Sequence, residues 1–276
     1  MLNILWNTRG YFFWLLVVSA GCMILEAVAP WRPKQRQFRR QFAQDLFWLV
    51  FNGHYASIAV AFLAQYLLVW IYPVVEKAEQ LNLIAAWPIW AQLVVFFVLK
   101  DFLEWCAHNL LHRVPFLWTF HKLHHSIEEL DWIGNFRFHW MEIIIYKSLT
   151  YFPLVVLGID GRIILWIAIL TTVIGHFNHS NLNISWGPLR YLINSPRMHV
   201  WHHMYALPEN RHEGVNFGIS LSIWDWIFHT SYWPDKSQSP EQQPNRLGFP
   251  GIESFPRSLL GRLIYPISAL WNHGRQ

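Results

Sequence analysis

The strongest constraint on this chain is a series of apolar runs long enough to cross a bilayer. The first covers residues 11–29, YFFWLLVVSAGCMILEAVA. Inside hydrocarbon every backbone N–H and C=O needs an internal partner, so segments of this length predict helices. The small-residue patch SAGC resembles a signal-peptide cleavage site. The apolar run continues past it to Pro30, however, which predicts an uncleaved span. Further runs cover about 42–73, Pro88 to His112, 140–157 and 161–178. The last two have about 18 residues each, roughly 27 Å of helix, just enough for a hydrocarbon core of about 30 Å. The GIDGR link between them predicts a helical hairpin.

Composition agrees with a membrane setting. The chain is 54% hydrophobic and 14% charged, against about a quarter charged in soluble domains. Its eighteen tryptophans suit either core packing or the aromatic belts at the two membrane surfaces. The net charge of +4 does not point to nucleic acid, because Arg32, Lys34, Arg36, Arg39 and Arg40 cluster directly after the first apolar run. The positive-inside rule places that loop in the cytoplasm. Counting spans from it brings the C-terminal ends of the runs at 88–112 and 161–178 to the cytoplasmic side. Cys22 and Cys106 sit far apart in apolar segments and imply no disulfide.

That topology gathers the histidines in one layer. Eleven of fifteen fall between His108 and His203. They form His108-x3-His112, His121-x2-His124-His125, His176-x2-His179 and His199-x2-His202-His203, with His139 alone. Histidines at i and i+4 share one helical face and can ligate one ion. A His-x2-His-His box supplies two ligands to one ion and a third to a neighbour. Imidazole donors suit iron, copper, zinc or nickel rather than calcium or magnesium, and ten exceed the needs of one ion. Asp101 and Glu104 lie on the stripe of His108 and His112. They either orient a ligating imidazole or form a salt bridge with Lys100 or Arg113.

Other chemistries lose support. His212-Glu213 is not followed by the second histidine of a zincin, and no dinucleotide, phosphate-loop or nucleophile-elbow motif occurs. A bis-histidine haem needs far fewer imidazoles. A histidine-lined metal transporter or zinc-binding membrane protein remains the alternative, although transport sites spread ligands near the membrane midplane.

In that order and spacing the boxes resemble the fatty acid hydroxylase/sterol desaturase superfamily of integral membrane di-iron proteins. DFLEWCAHNLLHRVPFLWTFHKLHHS is similar to its first two boxes. NFRFHWMEI resembles its Arg-x-His-x2-Glu segment, and HFNHSN, SPRMHVWHHM and VNFGISLSIWDWIFHT its closing region. The resemblance covers roughly residues 90–235. It implies an all-α fold, a polytopic membrane bundle of about four to five spans with a cytosolic helical cap. It also implies two irons on His108, His112, His121, His124, His125, His176, His179, His199, His202 and His203. Asp101, Glu104, His139, His212 and Asn216 are candidates for the surrounding shell, and His54, His229 and His273 read as structural. The domain layout expected is 1–87 for N-terminal spans and basic loop, 88–235 for the catalytic part and 236–276 for an interfacial cytosolic tail.

The activity implied is O2-dependent hydroxylation or desaturation of a lipid C–H bond, ether-lipid cleavage being a variant. Electrons come from a separate donor protein, which Arg197 or Arg211 are placed to dock. The bacterial cytoplasmic membrane is the expected location.

Overall fold

The computed structural model describes residues 7–80, 84, 86–234 and 243–273. Among these the fold is all-helical, with isolated bridges only at Ile193–Leu221 and Met204–Leu247. The long helices are α1 (Tyr11–Val28), α2 (Phe42–Val50), α3 (Ala56–Gln80), α4 (Ile89–Arg113), α5 (Pro115–His125), α6 (Trp140–Val156) and α7 (Gly161–His179). Two short helices, α8 (Pro196–His202) and α9 (Ile223–Ile227), follow, and α10 (Leu259–His273) closes the chain.

The run expected at 42–73 is helical throughout, its backbone staying right-handed helical across Val50, Phe51 and Ala56. A π-helical turn at Phe51–Tyr55 separates α2 from α3. There α1 approaches so closely that a Cβ on Gly53 would lie 2.4 Å from Leu15 Cδ2. Buried Asn52 donates from Nδ2 to Phe136 O and Phe138 O at 2.9 and 2.8 Å, the local rearrangement that π-turns typically serve. The predicted tight link between α6 and α7 does form, but each helix packs on α4 rather than along the other. Gly158 turns α6 off at φ +71°, and Asp160 caps α7 by accepting from Arg162 N at 2.7 Å.

Among the described residues two helices, α1 and α7, are long and apolar enough to cross a membrane. The central turns of α4 instead bury Lys100, Asp101 and Glu104. α4 packs against α6 and α7, and α1 against α7. Phe96, Leu154, Ile159, Ile163 and Ile167 fill the space among α4, α6 and α7. On the side of the histidine boxes, Ile127, Leu130, Val200, Trp201 and Val215 form a second core. A third, around Trp48, Leu123, Phe249 and Phe255, seats α10 against α5.

Between these cores lies a buried ion network. Arg39 donates to Asp131 at 2.7 and 2.6 Å and meets Asp45 at 2.6 Å. Arg137 pairs with Asp45 at 2.5 and 2.6 Å and donates to Ser126 O at 3.0 Å, next to His125. Arg39, read from sequence as a loop cation, is therefore sealed inside; Lys34, Arg36 and Arg40 remain exposed.

Candidate metal centre

Helix geometry splits the histidine boxes. His121 and His125, one turn apart on α5, face one way, and His124 lies about 100° round the helix from His125. The box on α8 divides in the complementary sense, with His199 and His203 together and His202 apart. Two groups result. His108, His112, His121, His125 and His202 form one; His124, His179, His199 and His203 form the other. Within each group the ligand nitrogens all lie within 4.8 Å of one another. Only His112 is less than fully buried.

The spacing fits bound metal. Imidazole nitrogens about 2.1 Å from one ion lie about 3.0–3.4 Å apart at the corners of its coordination polyhedron. His125 and His112 face each other Nε2 to Nε2 at 3.1 Å. In the second group His124–His179, His179–His199 and His199–His203 do so at 3.3, 3.1 and 3.3 Å. Nδ1 of His179 donates to Gly175 O at 2.8 Å, so its Nε2 is a bare lone pair aimed at two others. Nε2 of His108, His121 and His202 are buried without a hydrogen-bond partner. Such orphaned acceptors are expensive unless they hold something.

Burial, and then the neighbouring imidazoles, hold His121, His124, His125, His199, His202 and His203 well below the usual 6.5. They are neutral at physiological pH, the form that binds metal.

The outer nitrogens of the first group are fixed in turn. His108 Nδ1 donates to Phe217 O at 2.7 Å, His202 Nδ1 to Val215 O at 2.8 Å, and His121 Nδ1 to Glu142 at 2.8 Å. Each bond leaves Nε2 deprotonated and facing inward. Glu142 was legible only as the last residue of the Arg-x-His-x2-Glu segment, and the two carbonyls leave no mark in the sequence.

The remaining candidates lie elsewhere. His176 is outside both groups, because Asn135 Nδ2 donates to its Nδ1 at 2.9 Å and its Nε2 meets Ser19 Oγ at 3.0 Å. Glu104 pairs with Lys100 at 2.6 Å. Asp101 accepts from Ser220 N, Leu221 N and Trp224 Nε1. Asn216 binds Met198 O and Tyr232 O. His139 accepts from Met141 N to cap α6 and donates to Leu263 O at 3.0 Å, tying α6 to α10. His54 packs at a tilt against Phe12, and His229 presents its carbonyl to Arg211. The side chain of His273 lies outside the described residues.

A cavity of about 680 Å³ opens onto the first group, touching His112, His125 and His202; Trp118, Phe249 and the exposed His212 are among its walls.

Among the described residues the fold is all-helical, with two adjoining groups of imidazole able to hold metal, the arrangement of a histidine-box protein. Residues 93–230 match the family described as fatty acid hydroxylase. The chain is similar to the ornithine lipid hydroxylase of Rhizobium tropici, 34% identical over 182 residues, covering 66% of this chain and 52% of that protein. It also resembles methylsterol monooxygenase 1-2 of Arabidopsis thaliana, 26% identical with 58% and 54% covered. With human alkylglycerol monooxygenase it is 28% identical with 47% and 28% covered. The chain thus spans about half the length of the first two relatives. No solved structure matches it. The chain belongs to the fatty acid hydroxylase family.

Proposed function

We propose that this protein is a membrane-bound di-iron oxygenase that hydroxylates a C–H bond of a lipid. The observation that carries the reading is the division of nine buried or half-buried histidines into two adjoining groups. His108, His112, His121, His125 and His202 would hold one iron, and His124, His179, His199 and His203 the other. When bound, the irons supply O2 reduction and C–H oxidation. The balance is R–H + O2 + two electrons + two protons giving R–OH + water, with the electrons from a separate donor protein. Hydroxylation is preferred over desaturation because the relatives are named hydroxylases and monooxygenases. A transporter asks for ligands spread along a route, which two compact groups do not provide.

The chain's own residues do the rest. Phe217 O, Val215 O and Glu142 orient three imidazoles, and burial keeps them neutral. The cavity beside His112 admits substrate to the first group, with Trp118 and Phe249 as apolar walls.

In this reading residues 1–87 and the helices α4, α6 and α7 form the membrane part of about four to five spans. The outward faces of α1, α3 and α7, with Ile24, Val28, Val69, Trp70 and Trp166 exposed, meet lipid. Residues 88–235 are the catalytic part, its histidines in a cap on the cytoplasmic side of a bacterial membrane. In the 236–276 tail, the 15 residues of α10 give about 22 Å of helix, too short to cross. It exposes Leu260, Ile264, Ile267 and Trp271 along one stripe, as an interfacial helix does. Residues 236–242 of that tail lie outside the described set.

Membranes from cells expressing the chain, given isotopically labelled O2 and a reductant system, test the function. Mass spectrometry should find one labelled oxygen in a membrane lipid, absent with His202→Ala. Wild-type membranes without any labelled lipid, despite iron-loaded protein, would refute the reading.

A further inference from the structure

Between α8 and α9, residues Val215 to Leu221 run as a ribbon through the protein, and most of its backbone groups have a named partner. Asn216 N donates to Thr230 O at 3.0 Å. Phe217 N and Gly218 N donate to the two oxygens of Asp225 at 2.9 and 2.8 Å. Ser220 N and Leu221 N donate to the two oxygens of Asp101 at 3.1 and 3.2 Å. On the acceptor side, Asn194 donates to Gly218 O and Asn178 to Ile219 O. The carbonyls two residues apart, Val215 and Phe217, take the Nδ1 protons of His202 and His108.

Both ligands come from the same group of five, yet from different helices, α8 and α4. One ribbon therefore aims two imidazoles at one point. Asp225 is fully buried and has no arginine or lysine partner among its contacts. Its carboxylate accepts from Phe217 N, Gly218 N, Trp105 Nε1 at 3.0 Å and Thr230 Oγ1 at 2.6 Å. Four donors on one carboxylate fix its position, and through it the orientation of the Phe217 carbonyl. Gly218 has no room for a side chain: a Cβ there would lie 2.4 Å from Leu221 O and 2.9 Å from Asp225 Oδ2.

We propose that Asp225, seconded by Asp101, is a positioning residue for the five-histidine metal, holding the Val215–Leu221 ribbon so that its carbonyls orient His108 and His202. It touches no histidine and acts through the ribbon's backbone and through Trp105 on α4, the helix that carries His108. No histidine of the four-histidine group bonds the ribbon's carbonyls, which reach it only by way of Asn178 beside His179, so the larger effect falls on one of the two metals. This rests on the dimetal reading above.

The test is Asp225→Asn in the full-length protein in detergent. The amide would present an N–H where Gly218 N or Phe217 N now donates, and the ribbon must shift. Apoprotein is titrated with cobalt(II) against a chelator, following the visible bands of the bound ion. The wild type should take two ions. The variant should bind one as tightly as the wild type and the other about ten- to hundredfold more weakly, the range for outer-shell partners. If both ions weaken together with a fall in apoprotein Tm, Asp225 is a general structural support and the proposal fails. Two ions at unchanged affinity would overturn it as well. Should Asp225→Asn not fold, Asp101→Asn, at the residue that grips the ribbon three residues further along, must give the same one-ion selectivity in milder form. A wild type that takes no metal would instead refute the dimetal reading itself.

Discussion

The two histidine groups share helices α5 and α8 but are built differently. The five-histidine group is open on one side: His112 is half-buried, and the cavity reaches it. Its ligands His108, His121 and His202 are held from behind by two carbonyls and a carboxylate. The four-histidine group is wholly buried, and of its outer nitrogens only His179 Nδ1 is anchored, to Gly175 O. The contrast teaches a division of labour. A metal held in the open group would need its ligands braced from behind, whereas one in the sealed group would be confined by packing.

The sharpest way to break that comparison is to remove one ligand from each side. His202→Ala and His203→Ala should both bring turnover to background. Metal analysis should find the first variant retaining the four-histidine ion and the second the five-histidine ion. Loss of both ions in either variant would mean that the groups are one unit.

Next in size is Arg137→Ala. Its partner Asp45 would be left buried and Arg39 alone to neutralise it, at a cost of about 3–5 kcal/mol. Chemical denaturation should register that loss, while the folded fraction keeps the wild-type metal ratio, because the ion network bonds no histidine of either group.

A smaller and more selective effect is expected of Glu142→Gln. It keeps the shape but gives His121 a weaker acceptor, lowering affinity for the five-histidine ion by about ten- to hundredfold. Equal weakening at both sites, measured by chelator competition, would remove the distinction drawn here.

The smallest effect per residue is on pH dependence, and it concerns the apoprotein. Six histidines outside the long apolar helices are held well below 6.5 by burial and by their neighbours. The unfolded chain therefore binds more protons than the folded one as pH falls below about 6.5. Folded apoprotein should lose stability there by up to about 1.4 kcal/mol per pH unit per histidine. Bound metal should suppress that slope, and denaturation of apo and loaded protein at pH 7 and 5.5 checks it.

Much of this was legible in sequence because period and spacing encode it. The tight α6–α7 link followed from GIDGR, and the placing of His121 and His125 apart from His124 from helical steps. The π-turn within the 42–73 run was not, since it depends on Leu15 arriving from α1 against Gly53. Asp101 and Glu104 lie on the right stripe, but one grips the ribbon and the other pairs with Lys100. Stripe position gives direction and not partner. His176 shares the His-x2-His spacing with His179, yet a partner on each of its ring nitrogens sets it apart. Backbone acceptors such as Phe217 O exist only once the chain has folded.

The central claim, two irons on two histidine groups, is tested most directly by iron content and Mössbauer spectroscopy on protein loaded anaerobically with iron-57. Two irons per chain, giving two quadrupole doublets of which His202→Ala removes one, is the predicted result. A single iron per chain, or none after anaerobic loading, would contradict it.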